Sequence, residues 1–99
     1  MKTAGFHSEA RLEFLDTVAY YEEIQAGLGA RFRLAVEVAV ALALALPTAG
    51  TVYKNGTRRV FPKKFPFSIV YKEIEGGIVI FAVAHFKRRP GYWKSRRDT

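Results

Sequence analysis

Residues 30–46 constrain the fold more than any other part of this chain: after Arg33 the only charge is Glu37, and every other residue up to Leu46 is Ala, Val or Leu. Alanine and leucine favour helix, and Pro47 ends one by disfavouring helical backbone at the residue before it. A helix is therefore predicted over about residues 30–46. Because it is apolar all round, it has to be covered on most sides. Alanines at 35, 39, 41, 43 and 45 let a neighbouring helix or sheet approach closely. Two coverings stay open in a chain of 99 residues: an ordinary core, or a core completed by a second chain. Interrupted by Glu37, the stretch falls well short of the about 20 residues that a membrane span requires, so a soluble protein is expected.

A partner helix is written just before it. Ser8 reads as an N-cap, with Glu9 and Glu13 near the positive end of the helix that follows. Ala10, Phe14, Val18 and Tyr21, joined by Leu15 and Ala19, recur at helical spacing, while Glu9, Glu13, Asp16, Glu22 and Glu23 take much of the remaining surface. Gly27-Leu28-Gly29 breaks this helix after Ile24 and makes a tight turn into the next. Beyond Pro47 the pattern changes. Asn55-Gly56 is a strong hairpin dipeptide. Strand-like runs follow at residues 58–61, 67–73 and 78–84, the last two joined by a turn at Gly76-Gly77. The last run is apolar on both faces, as in a central strand. With a short strand at residues 2–6, the order is β-α-α-β-β-β and the class α+β, in one domain over residues 1–99 with a basic tail from about residue 85.

Charge is divided unevenly along this order. Residues 1–50 hold four Lys/Arg against six Asp/Glu, and residues 51–99 hold twelve against three, within a net charge of +7. The C-terminal half is the positive pole and suits an anionic partner. Six of its cations surround Tyr92 and Trp93 within residues 84–98. Cysteine is absent, which removes disulfides and thiolate metal sites and fits a reducing cytoplasm. With His7 and His85 far apart in sequence, no metal site or cofactor is expected. No secretory signal is expected either.

A resemblance enters with particular residues. Tyr20-Tyr21-Glu22 and Gly27-Leu28-Gly29 leading to Arg31-Phe32, then residues 65–71, then Ala82-Val83-Ala84-His85 followed by Arg88, Pro90, Trp93 and Arg96, resemble the RelE/ParE family of type II toxin-antitoxin toxins. The likeness runs over almost the whole chain. It implies a helical hairpin packed on a small, twisted, mainly antiparallel sheet, and a cytoplasmic toxin that an acidic antitoxin wraps in a hetero-oligomer. The family has two branches, one cutting messenger RNA on the ribosome and one acting on DNA gyrase. Where the ribonuclease pattern has an arginine this chain has Ser68, and near its C-terminal tyrosine stands Lys94, with Tyr92 two positions early. Arg88 does fit the family's C-terminal arginine. The resemblance thus implies a ParE-like gyrase inhibitor without catalytic residues ahead of a RelE-like ribosome-dependent endoribonuclease. A non-toxic nucleic-acid-binding module and a degenerate toxin are further alternatives.

Residues are assigned on that basis. Target binding falls to Arg59, His85, Lys87, Arg88, Tyr92, Trp93 and Arg96, and antitoxin binding to Arg58, Phe67, Val36 and Leu42. Several have a plainer reading beside the functional one. His85 reads as a hydrogen-bonded structural histidine as well as a general base. Trp93 either locks the tail onto the sheet or grips a target. Arg58 and Arg59 project to opposite faces of a strand, Arg59 sharing the face of Phe61, and Lys63 and Lys64 are held in a loop or strand edge between Pro62 and Pro66.

Overall fold

The computed structural model, which describes residues 1–96, forms the amphipathic first helix, α1, over Ser8–Ile24 and the apolar helix, α2, over Leu28–Ala45. Ser8 is the first residue of α1 and not its cap: His7 caps it, its Nδ1 accepting the Glu9 N–H at 3.1 Å. An orphan N–H needs only an acceptor, and an imidazole nitrogen meets that need as a serine oxygen would. Gly27, at φ 88°, turns the chain into α2. Glu22 then reaches forward from α1 to accept the Gly27 and Gly29 N–H groups at 2.9 and 3.0 Å, placing a carboxylate at the positive end of α2. The two helices form the expected hairpin.

The sheet has five strands, β1 (Thr3–Phe6), β2 (Thr51–Val52), β3 (Arg58–Val60), β4 (Phe67–Ile74) and β5 (Gly77–His85), in the spatial order β1-β5-β4-β3-β2. β1 runs parallel to β5, and every other neighbouring pair is antiparallel. The two-residue β2 is the one strand not expected from the sequence. It exists because Asn55 and Gly56, at φ 58° and 72°, fold the chain back onto β3 and let Tyr53 N–H donate to the Thr57 carbonyl at 2.8 Å. β1 lies against Gly77, whose missing Cβ is essential: any side-chain carbon there would collide with the Thr3 carbonyl.

Helices cover one face of the sheet. Phe14, Phe32, Val36, Ile69, Tyr71 and Ile80 pack between the layers, and the buried Tyr71 hydroxyl donates to the Pro47 carbonyl at 2.7 Å while accepting the Gly50 N–H at 3.1 Å. The opposite face has a smaller core of Val70, Val79, Phe81, Ala82, Ala84 and Trp93. A β-bulge explains how consecutive Phe81 and Ala82 join it. Val70 pairs with Ala82 and Tyr71 with Ile80, so Phe81 falls between the paired positions. Among the described residues no helix is long and apolar enough to cross a membrane.

Candidate functional site

β1 ends at Phe6, paired with Ile80, while β5 continues five residues further to His85. That leaves an open edge on the central strand, and exposed edge groups need partners. The tail and α1 supply them. Glu13 Oε1 accepts the Val83 N–H at 3.0 Å, and Arg96 donates to the Phe81 carbonyl at 2.8 Å. The same guanidinium grips Glu13 through two hydrogen bonds, at 3.0 and 2.9 Å, and Tyr92 adds its hydroxyl at 2.6 Å. Arg96 is only 8% exposed. Burial pulls its pKa down, but the hydrogen bond and charge of Glu13 outweigh this and hold it above the ordinary value. Burial, and then the bond to Glu13, push the Tyr92 phenol up as well. Glu13, expected on the acidic outer surface of α1, thus turns inward and holds the tail.

Trp93 is fixed by this clamp. It is 3% exposed, stacks on Phe81 with centroids 6.5 Å apart and lies 5.9 Å from Tyr53. Beneath it remains a cavity of about 90 Å³ whose walls include Arg59, Ser68, His85, Arg88 and Arg89. Of the two open readings for Trp93, the geometry is that of a lock on the sheet. Arg96, likewise assigned to a target, points into the protein. His85 Nδ1 accepts the Lys87 N–H at 3.0 Å and its ring meets Phe67 edge-on at 5.0 Å, a structural setting. Arg88 sits 3.8 Å over the Tyr92 ring and 3.9 Å from Glu13, with half its side chain exposed. Lys87 is exposed.

A larger groove, about 790 Å³, opens between α2 and the β3 side of the sheet. Leu34, Val38 and Leu42 line one wall, Val60, Phe61 and Phe65 the other, and Arg31, Arg59, Lys63 and Lys64 add positive charge. The stripe exists because α2 is apolar all round while the core fully buries only the side chains of Phe32, Val36, Ala39 and Ala43, with Val40 and Leu44 packed at its margin. Leu42 is 50% exposed and lies in the groove. Val36 and Phe67, assigned with it to a partner, are corrected: at 1% and 6% exposure they belong to the core, on the inward stripe of α2 and the inner face of β4. Arg58 is also occupied, donating to the Thr48 and Gly50 carbonyls at 3.3 and 2.9 Å. Arg59 leaves the opposite face of β3, as expected, and sits over Tyr53 at 4.1 Å and Phe61 at 5.3 Å.

Chemically, the groove can hold apolar side chains among cations. Sequence reasoning missed Glu13 as the organiser of the tail, since 83 residues separate it from Arg96, and missed the exposed Phe61–Phe86 pair, centroids 6.0 Å apart. Their sole prior signal was residue type. Among the described residues no cluster of three or more His, Cys, Asp or Glu could hold a metal ion. No family model and no curated protein matches the chain.

Proposed function

We propose that this protein is the cytoplasmic toxin of a type II toxin-antitoxin pair, that an acidic antitoxin neutralises it by lying in the α2 groove, and that its target is DNA gyrase. The observation that carries this reading is the outward Leu34-Val38-Leu42 stripe beside Arg31, Lys63 and Lys64. A lone globular chain gains nothing by leaving such a stripe uncovered, whereas an acidic segment that folds on docking supplies both apolar anchors and carboxylates. The likeness of Tyr20 to Arg96 to the RelE/ParE family, in a chain with a helical hairpin on a mainly antiparallel sheet, points the same way.

Preference for gyrase over messenger RNA rests on the outer sheet face. General acid–base cleavage of RNA needs a base, a cation at the scissile phosphate and an acid. Ser68 is buried there, Lys94 is exposed, and the hydroxyl of Tyr92 is committed to Glu13. One observation favours the ribonuclease as a second reading: Arg59, Arg88 and Arg89 surround a single cavity together with His85.

Inducing the chain alone and then examining plasmid topology and transcript integrity separates the readings. Growth arrest with altered topology and intact transcripts is expected, cured by co-expression of an acidic neighbouring reading frame. Cut transcripts with normal topology select the ribonuclease, and undisturbed growth removes both.

A further inference from the structure

Among the described residues, Arg59 is the only side chain that lines both the α2 groove and the cavity under the tail. Its Nε is buried and has no hydrogen-bond partner among the described residues, and none of their ion pairs includes it. Native interiors leave few donors unmet, and a buried donor on a cation is among the costliest to leave so. The ring of Tyr53, 4.1 Å from the guanidinium carbon, compensates its charge without giving that N–H an in-line acceptor. Both cavities are therefore joined at a guanidinium that no carboxylate of the described residues pairs.

We propose that Arg59 is an anion subsite, completed by a carboxylate of an acidic peptide seated in the α2 groove, and that filling it is transmitted to the tail. The groove walls favour a peptide over a nucleic-acid backbone, because Leu34, Val38, Leu42 and Phe61 offer seats for apolar anchors that a phosphate backbone does not fill, while Arg31, Lys63 and Lys64 suit carboxylates beside them. Transmission follows from the stack. Tyr53 lies between Arg59 and Trp93, 4.1 Å from the guanidinium and 5.9 Å from the indole ring. Drawing Arg59 towards the groove takes a cation off Tyr53 and out of the wall of the tail cavity, so the partner alters the outer sheet face as well as occluding a groove. The identity of the peptide as an antitoxin rests on the toxin reading; the carboxylate requirement rests on Arg59 alone.

Trp93 is the only tryptophan, so its emission reports the far end of this stack. The probe is a short synthetic peptide of leucine and glutamate, compared with its leucine and glutamine counterpart, titrated into the full chain with wild-type Arg59, Arg59→Met, Arg59→Lys or, as a charge control that lines neither cavity, Lys72→Gln. The wild type is expected to bind the glutamate peptide at least about tenfold more tightly than the glutamine one, as charge-assisted hydrogen bonds do, with a change in Trp93 emission. Arg59→Met should remove most of that ratio, Arg59→Lys should keep part of it, and Lys72→Gln should change it by less than about twofold. An unaltered far-ultraviolet circular dichroism spectrum in the free variants shows that they remain folded. The subsite is overturned if the glutamate peptide does not bind, if Arg59→Met keeps the full ratio, or if inorganic phosphate displaces the peptide at equal concentration. Growth arrest cured by an acidic neighbour, together with an unchanged ratio in Arg59→Met, removes the subsite and leaves the toxin reading; no arrest, together with a lost ratio, does the reverse.

Discussion

Glu13 accepts four hydrogen bonds, from Val83, Tyr92 and twice from Arg96, so one carboxylate joins α1, the edge of β5 and the tail. Removing its charge leaves Arg96 in a nearly buried site with the exposed Glu9, 4.0 Å from its Nε, as its remaining counter-charge among the described residues. Breaking one side of such a pair costs about 3 to 5 kcal/mol, and glutamine, which keeps an acceptor for the Val83 N–H, should lie near the lower end. Glu13→Gln is therefore expected to lose about 3 kcal/mol in urea unfolding, with Trp93 emission shifting to the red; a loss under about 1 kcal/mol contradicts the clamp. Tyr92 gives a second test, in pH. Its pKa is raised in the folded state, by burial first and the Glu13 bond next, so the folded chain keeps a proton that the unfolded chain releases. That contribution is whole below the ordinary tyrosine value of 10.0 and declines as pH rises past it. Tyr21 acts in the same direction, through burial and then Tyr20. Tyr92→Phe should lose less stability than the wild type on going from neutral pH to pH above 10.0, measured by unfolding at each pH, whereas equal slopes would show that the phenol is not held as described.

At the scale of elements, Gly77 decides whether β1 joins the sheet. Gly77→Ala puts a methyl group against the Thr3 carbonyl at φ 152°, so β1 should detach. Faster amide exchange confined first to Thr3 and His7, whose N–H groups donate to the Gly76 and Ile80 carbonyls beside and on β5, is the expected signature; protection as strong as in the wild type contradicts it. The elements themselves were legible because their periods are strong. α1 reads from the spacing of Ala10, Phe14, Val18 and Tyr21, α2 from its alanines and leucines, and the hairpin from Asn55-Gly56. β2 was not, because two residues carry no period and the strand is made by the turn beside it. The direction in which α2 faces was misread at Val36 for a related reason. In a helix apolar all round, the sequence does not distinguish the stripe that meets the sheet, Phe32-Val36-Ala39-Ala43, from the stripe that meets solvent, Leu34-Val38-Leu42.

At the scale of the whole molecule, the two halves of opposite charge neutralise each other in part. Glu13 of the acidic half takes Arg96 of the basic tail and draws Arg88 towards it, which leaves Lys87, Arg89 and Lys94 exposed on the tail and Arg31, Lys63 and Lys64 around the groove. The positive pole was legible from the count of charges. Its division between a self-paired tail and a cation-lined groove was not, since it depends on contacts between distant residues. This places the proposed antitoxin contact on α2. Each large apolar side chain fully buried on docking contributes about 1.5 to 3 kcal/mol, so two aspartates there would remove most of the anchor while leaving the core untouched. The most direct measurement is growth of cells that express the Val38→Asp/Leu42→Asp chain with and without the acidic neighbouring reading frame. Arrest that the neighbour no longer relieves, against full relief for the wild-type chain, is the predicted result; equal relief of both would contradict the placement of the antitoxin in this groove.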